Sequence, residues 1–314
     1  MARQPRWIPP NALVELSCRC IQGRFLLRPS KLLNALIVGV LAIALRGTAI
    51  RVHAISVASN HWHMLASVPS TAALARAMEF FQGNVSKEAG RLNRWRGKLW
   101  ATRYHYSIVD DDEATQVERL RYLLSHGVKE GLVWNPRDWP GVSSARALVE
   151  GVPLVGTWIS RCSQWAARRR KGADASDAAH SERVELHLDP LPCWSHLPEH
   201  EWRRRVAEMV ASIEEEGRAH HLREGTQPLG PRRVRKVHPH HAPEKVSWSP
   251  QPLVLARDPN RRRILVNAFA SVVAAFREAA DSLSAGDVNP RFPEGTFPPG
   301  LPYVPTVADL LPGG

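Results

Sequence analysis

The sequence predicts an α+β fold: an antiparallel sheet flanked by helices, followed by a helical, proline-rich C-terminal extension. Two patterns carry the first part. Residues 13–20 (LVELSCRC), 50–57 (IRVHAISV) and 61–68 (HWHMLASV) alternate apolar and polar side chains or are enriched in Val and Ile, as half-buried strands are. Residues 32–45 (LLNALIVGVLAIAL) and the stretch from 72 onward repeat apolar side chains at helical steps. A third observation carries the second part. Beyond about residue 165 the chain turns to Arg/Lys runs, Pro-rich stretches and two separate amphipathic segments.

Taken in order, residues 1–12 (MARQPRWIPPNA) form a basic arm whose Arg3 and Arg6 can reach toward a polyanion. The first strand follows, and Gly23 offers a turn. The 32–45 run is shorter than the ~20 residues a membrane span needs, and it does not open the chain. It reads as a buried helix, with neither a span nor a secretory signal expected. Asn60 separates the second and third strands. Leu74, Met78, Phe81, Val85 and Leu92 then recur mostly three or four residues apart, the stripe of an amphipathic helix. After Gly97, residues 100–109 (WATRYHYSIV) read as a fourth strand. The acids of 110–113 (DDDE) sit where a helix dipole favours negative charge. That helix is expected to run to about His126, with Gly127 as its stop. A domain is therefore expected over 1–160, a linker over 161–190, and an extension over 191–314 with helices near 199–216 and 261–283.

The formal charge of +12 and pI of about 10.2 point to a polyanionic partner. Residues 1–150 hold 20 Lys/Arg against 11 Asp/Glu, which places that partner on the N-terminal half. Lys87, Arg91, Arg94, Arg96, Lys98 and Arg103 gather around Trp95 and Trp100. Cations neutralise phosphates and an indole can stack on an unpaired base, so these six are the candidate DNA-binding residues. Trp100 reads as core. The four cysteines form no CxxC pair, which argues against a disulfide framework or zinc ribbon and fits a reducing, cytoplasmic compartment.

His61 and His63 stand two apart in an alternating strand, so both imidazoles face one side while Trp62 faces the other. Two neutral imidazoles suit Mn²⁺ or Zn²⁺, and a harder Mg²⁺ binds them more weakly. By spacing alone the pair is equally that of ordinary strand histidines. Tyr122 lies on the helix after DDDE, with His126 one turn on and on the same face. A tyrosine beside a metal can attack a phosphate; Arg119 and Arg121 flank it in sequence, not both on its face.

The segments SNHWHMLASV (59–68), GKLWATRYHYSIVDDDEA (97–114), RLRYLLSHGVKEGLV (119–133) and PRDWPGVSS (136–144) occur in order. Together they resemble the HUH-type single-tyrosine transposases, in particular the REP-associated tyrosine transposases of bacteria. The resemblance covers roughly residues 5–150. It implies a compact ferredoxin-like antiparallel sheet with flanking helices, Tyr122 as nucleophile, and His61, His63 and His126 as ligands of Mg²⁺ or Mn²⁺. That third position is commonly Asn or Gln in the family, so His126 is a departure, as is HGVKEGLV where relatives read close to NPVRAGLV. The implied substrate is single-stranded or hairpin DNA, cut and rejoined through a 5′-phosphotyrosine, by an active form that can be a homodimer. A domesticated, non-cleaving hairpin-binding protein is the alternative the resemblance leaves open.

Overall fold

A computed structural model describes residues 5–244, 251–287 and 289–299; Arg3 lies outside them. Strand β1 (Ala12–Arg19) is followed by helix α1 (Lys31–Leu45), strands β2 (Arg51–Val57) and β3 (His61–Val68), helix α2 (Thr71–Leu92), strand β4 (His105–Val109) and helix α3 (Glu113–Lys129). Serine and aspartate side chains start all three helices. Ser30 accepts from Leu33 N, Ser70 from Ala73 N, and Asp112 from Thr115 N. Each satisfies one of the backbone donors that a helix start leaves unpaired.

The strands order β2-β3-β1-β4 with antiparallel pairing throughout, as the sequence predicts. A two-residue strand, β7 (Val254–Leu255), then extends the sheet in parallel beside β4. Its direction follows from its origin. The chain reaches that edge after a long excursion, and a parallel neighbour needs such a crossover.

Alternation divides the sheet into two faces. Val14, Leu16, Trp62, Met64 and Ile108 bury against Leu33, Ile37 and Leu41 of α1 and Leu74, Met78 and Phe81 of α2. On the other face, Leu13, Ala54, Leu65 and Val109 bury against Leu120, Leu123 and Leu124 of α3. Fully burying each such side chain stabilises by about 1.5–3 kcal/mol. The second core is completed by α6 (Glu199–Arg223), which contributes Trp202, Val206, Val210 and Ile213.

Four features differ from the sequence reading. The fourth strand begins at His105, not near Trp100. Trp100 is indeed core, its indole donating to Gln82 O, and it keeps one isolated antiparallel bridge to Cys20 before the continuous ladder starts at His105. Helix α3 continues through Gly127, whose missing Cβ makes room for the Trp139 ring, 3.1 Å from where a Cβ would lie. Gly131, with φ of +63°, ends it instead. Residues 134–148 (WNPRDWPGVSSARAL), whose Pro, Gly, Asn and Ser favour turns, hold the start of α4 (Ala145–Glu150). Residues 161–190, expected as a linker, carry α5 (Arg161–Arg168) and β6 (Ser181–Leu186), the latter paired with β5 (Leu154–Ile159) in a separate two-stranded sheet. That hairpin meets α1 backbone to backbone. A Cβ on Gly39 would lie 2.1 Å from Thr157 O, and one on Gly156 would lie 2.2 Å from Gly39 N. The expected C-terminal helices are present as α6 and α8 (Pro259–Ser284), with short α7 (Pro231–Lys236) between them.

Candidate active site

The α3 face of the sheet is apolar at one end and polar at the other. In register, Ser17 lies opposite His63 and Arg19 opposite His61, while Glu15 lies opposite Leu65, so β1 and β3 change character at the same level. Helix α3 crosses this face. Its Leu120, Leu123 and Leu124 enter the apolar end, which turns Tyr122 and His126 toward the histidines.

The three imidazoles of His61, His63 and His126 offer nitrogen atoms that all lie within 4.8 Å of one another. His61 Nε2 is 2.6 Å from His126 Nε2, and His61 Nδ1 is 2.7 Å from the Asn60 side-chain oxygen. Because a carboxamide oxygen only accepts, His61 donates from Nδ1 and turns Nε2 inward. Burial, reinforced by the other two imidazoles, holds the His61 pKa well below its ordinary value. Burial also pushes His126 down to about 3, with His63 and Lys129 adding to it. Both rings are therefore neutral near pH 7, with lone pairs available. Three imidazoles at this separation fit a divalent transition metal.

Tyr122 is half-buried, its ring 5.5 Å from that of His63 and 5.4 Å from that of His126. The Arg119 guanidinium lies 4.4 Å from its ring centroid and the Lys129 ammonium 5.3 Å. Burial raises the phenol pKa, Glu15 raises it further, and Arg119 opposes both. Arg121 points elsewhere, to Glu216 on α6 at 2.6 Å.

Glu15 was not legible as part of this site. It is 7% exposed, accepting from His63 Nδ1 at 3.1 Å through one oxygen and from Arg119 Nε at 2.6 Å through the other. Burial alone would raise its pKa, but these two partners bring it below the ordinary carboxylate value. The only sequence signal was one acid on the alternating phase of Ser17 and Arg19.

A cavity of about 780 Å³ opens on His61, His63, Tyr122 and His126. Leu229, Val234, Val237, Pro243 and Gln251 from the C-terminal half also line it, and nothing in the sequence placed them there. Gly230 N donates to Leu132 O, and Phe25 N to His241 O, so residues 230–241 connect the end of α3 to the turn after β1. Ala101 and Thr102 form part of the opposite wall.

Of the basic residues, Lys87, Arg94, Arg96, Lys98 and Arg103 are exposed. Arg91 is exposed as well but bonded to Glu88 at 2.8 Å. Trp95 is half-buried, edge-on to His240. Arg6 is committed to Tyr104, donating to its carbonyl at 2.6 Å and covering its ring.

Residues 35–123 match the family model described as IS200-like transposase. The match runs from α1 to one residue past Tyr122, so it contains both histidines of β3 and the tyrosine, while His126 and the C-terminal half lie beyond it. Among solved structures, the chain is similar to a REP-associated tyrosine transposase bound to a REP hairpin. The identity is 14% over 59% of this chain and 99% of that one, with a TM-score of 0.35. It is also similar to a candidate transposase from Deinococcus radiodurans R1, at 13% identity over 38% of this chain and 95% of that one, TM-score 0.27. No curated protein matches the sequence. No helix among the described residues is long and apolar enough to cross a membrane.

Proposed function

We propose that the chain is a metal-dependent single-strand DNA transposase or endonuclease in which Tyr122 cuts and rejoins DNA beside hairpin sequences. The observation that carries this reading is the meeting of Tyr122 with His61, His63 and His126 on the wall of one cavity. His61, His63 and His126 would hold the divalent ion, and an all-imidazole set favours Mn²⁺ over Mg²⁺. When bound, such an ion polarises a phosphodiester and offsets the charge that develops on it. The Tyr122 oxygen attacks phosphorus, the P–O3′ bond breaks, and the phenol proton passes through solvent to the leaving 3′-oxygen. The products are a 5′-phosphotyrosine and a free 3′-hydroxyl. A second strand's 3′-hydroxyl then displaces the tyrosine, so one phosphodiester is exchanged for another and no ATP is consumed.

The chemical groups all come from residues 1–160, which we take as the catalytic unit. Lys87, Arg94, Arg96, Lys98 and Arg103 are assigned to the DNA backbone, with Trp95 as a stacking surface. Arg91 belongs to the same set but shares its charge with Glu88. The test is to incubate the protein with labelled hairpin-bearing single-stranded DNA and Mn²⁺ or Mg²⁺, and to resolve a covalent adduct on a denaturing gel. An adduct with the wild type that is lost in Tyr122→Phe is the expected result. Tight hairpin binding without adduct under either metal sinks the enzyme and leaves a non-cleaving binding protein. Light scattering of the hairpin complex decides whether the active form is a homodimer.

A further inference from the structure

The polar end of the sheet holds a buried charged group that the proposed reaction does not use. Glu15 sits in the middle of β1, on the face whose neighbouring positions are Leu13, packed in the core, and Ser17. A buried carboxylate is costly, and an aliphatic side chain would serve packing at such a position at least as well. Each Glu15 oxygen has its own partner, His63 and Arg119, and the Arg119 guanidinium in turn covers the Tyr122 ring. One side chain therefore touches a candidate metal ligand and, through one intermediary, the candidate nucleophile.

We propose that Glu15 is a positioning residue that fixes His63 for metal binding and holds Arg119 against Tyr122. The inference rests on the function proposed above. A carboxylate accepts and does not donate, so a ring nitrogen bonded to it must carry the proton. His63 donates from Nδ1, which leaves the lone pair on Nε2 as its ligand atom. The same bond stops the ring from rotating about its Cβ and raises its basicity as a ligand, the usual effect of a carboxylate behind a metal-binding histidine. Arg119 makes this compatible with a DNA substrate. Its positive charge balances Glu15 at 2.6 Å, so the carboxylate does not repel an incoming phosphodiester. The arrangement also ties β1, β3 and α3 together at the point where ligand and nucleophile must keep a fixed separation.

Two measurements on the full chain test this. In the metal-free wild type, histidine ring nitrogen NMR should find His63 as the Nδ1–H tautomer; an Nε2–H tautomer overturns the proposal without requiring any variant to fold. In Glu15→Gln, titration with MnCl₂ should show an affinity about 10–100-fold weaker than wild type. Adduct formation should return when Mn²⁺ is raised by the same factor, while hairpin binding in EDTA stays unchanged. Glu15→Asp should recover part of the loss. Wild-type Mn²⁺ affinity in Glu15→Gln overturns the inference, as does a loss of adduct that no metal concentration restores. The His63→Ala variant separates the two levels. If it too keeps wild-type Mn²⁺ affinity, the metal site itself is wrong; if it loses Mn²⁺ binding while Glu15→Gln does not, only the role of Glu15 falls.

Discussion

On the α1–α2 side of the sheet, Val14, Leu16, Trp62, Met64 and Ile108 meet a layer of Leu, Ile, Met and Phe. On the α3 side, the same three strands present Leu13, Leu65 and Val109 at one end and Glu15, Ser17, His61 and His63 at the other. Strand β3 thus serves two purposes with alternate residues. Trp62 is 1% exposed beneath Phe81, ring centroids 5.5 Å apart, while its two neighbours in sequence point at Tyr122 and His126. The contrast shows why the dry face matters for chemistry. Ligands borne on a strand are only as well placed as the core that clamps the strand from behind.

Residues 62 and 63 break this comparison most sharply. His63→Ala removes a ligand and leaves the apolar face intact, so adduct formation should fall by roughly 10³-fold or more, on the scale of removing a group that acts as part of a catalytic unit. Hairpin binding should stay close to wild type, while unfolding free energy should fall by about 1–3 kcal/mol because one Glu15 oxygen loses its buried partner; unchanged adduct formation removes His63 from the site. Trp62→Ala acts on the other face. It should cost about 3–5 kcal/mol in urea unfolding as a large core deletion, and adduct formation should fall only where the fold is lost. A Trp62→Ala protein that is as stable as wild type would mean that β3 is not clamped from that side.

The two faces were unequally legible. Apolar periodicity predicted β1, α1, β2, β3, α2 and α3, because each is long enough for its period to repeat. It missed β5, β6 and β7, where six, six and two residues carry too few apolar positions to show a period. It misjudged the start of β4 and the end of α3, because Trp100 packs in the core ahead of the ladder and Gly127 makes room for Trp139, contacts that local spacing does not show. The same rule held for the site. His61 with His63, and Tyr122 with His126, are paired by spacing within one element. Glu15 meets His63 only through strand register and Arg119 across 104 residues, and neither is written in local spacing.

A buried histidine outside the cavity sharpens the comparison through pH. His53 is 1% exposed, its Nε2 2.8 Å from Ser67 Oγ and its Nδ1 facing Asp189 O. Burial pushes its pKa down to about 4 from 6.5. The unfolded chain therefore binds the proton first as pH falls below 6.5. The penalty for folding grows until pH passes through about 4, and stability rises with pH across that window. Between pH 7 and pH 5 this one group should remove roughly 2 kcal/mol of unfolding free energy. In His53→Gln, denaturant titrations at the two pH values should differ by about that much less than in the wild type. An unchanged difference would place the acid sensitivity elsewhere.

Arg119 and Arg121 give the smallest effect and the finest test of which side of α3 faces the chemistry. Both lie within three residues of Tyr122, and both are paired with a glutamate at 2.6 Å. Arg119 is 16% exposed and its partner is buried Glu15, whereas Arg121 is 32% exposed and its partner, Glu216, is 68% exposed. Water screens the second pair, and an exposed ion pair contributes about 0–1 kcal/mol. Arg121→Ala should therefore lower unfolding free energy by less than about 1 kcal/mol and leave adduct formation within twofold of wild type. The half turn of helix that separates the two arginines is what decides this. Arg119 is one turn before Tyr122 and shares its stripe, while Arg121 projects toward α6. A loss of adduct in Arg121→Ala at unchanged stability would mean that the α6 side of α3 also reaches the DNA, and that the catalytic surface is wider than the cavity around Tyr122.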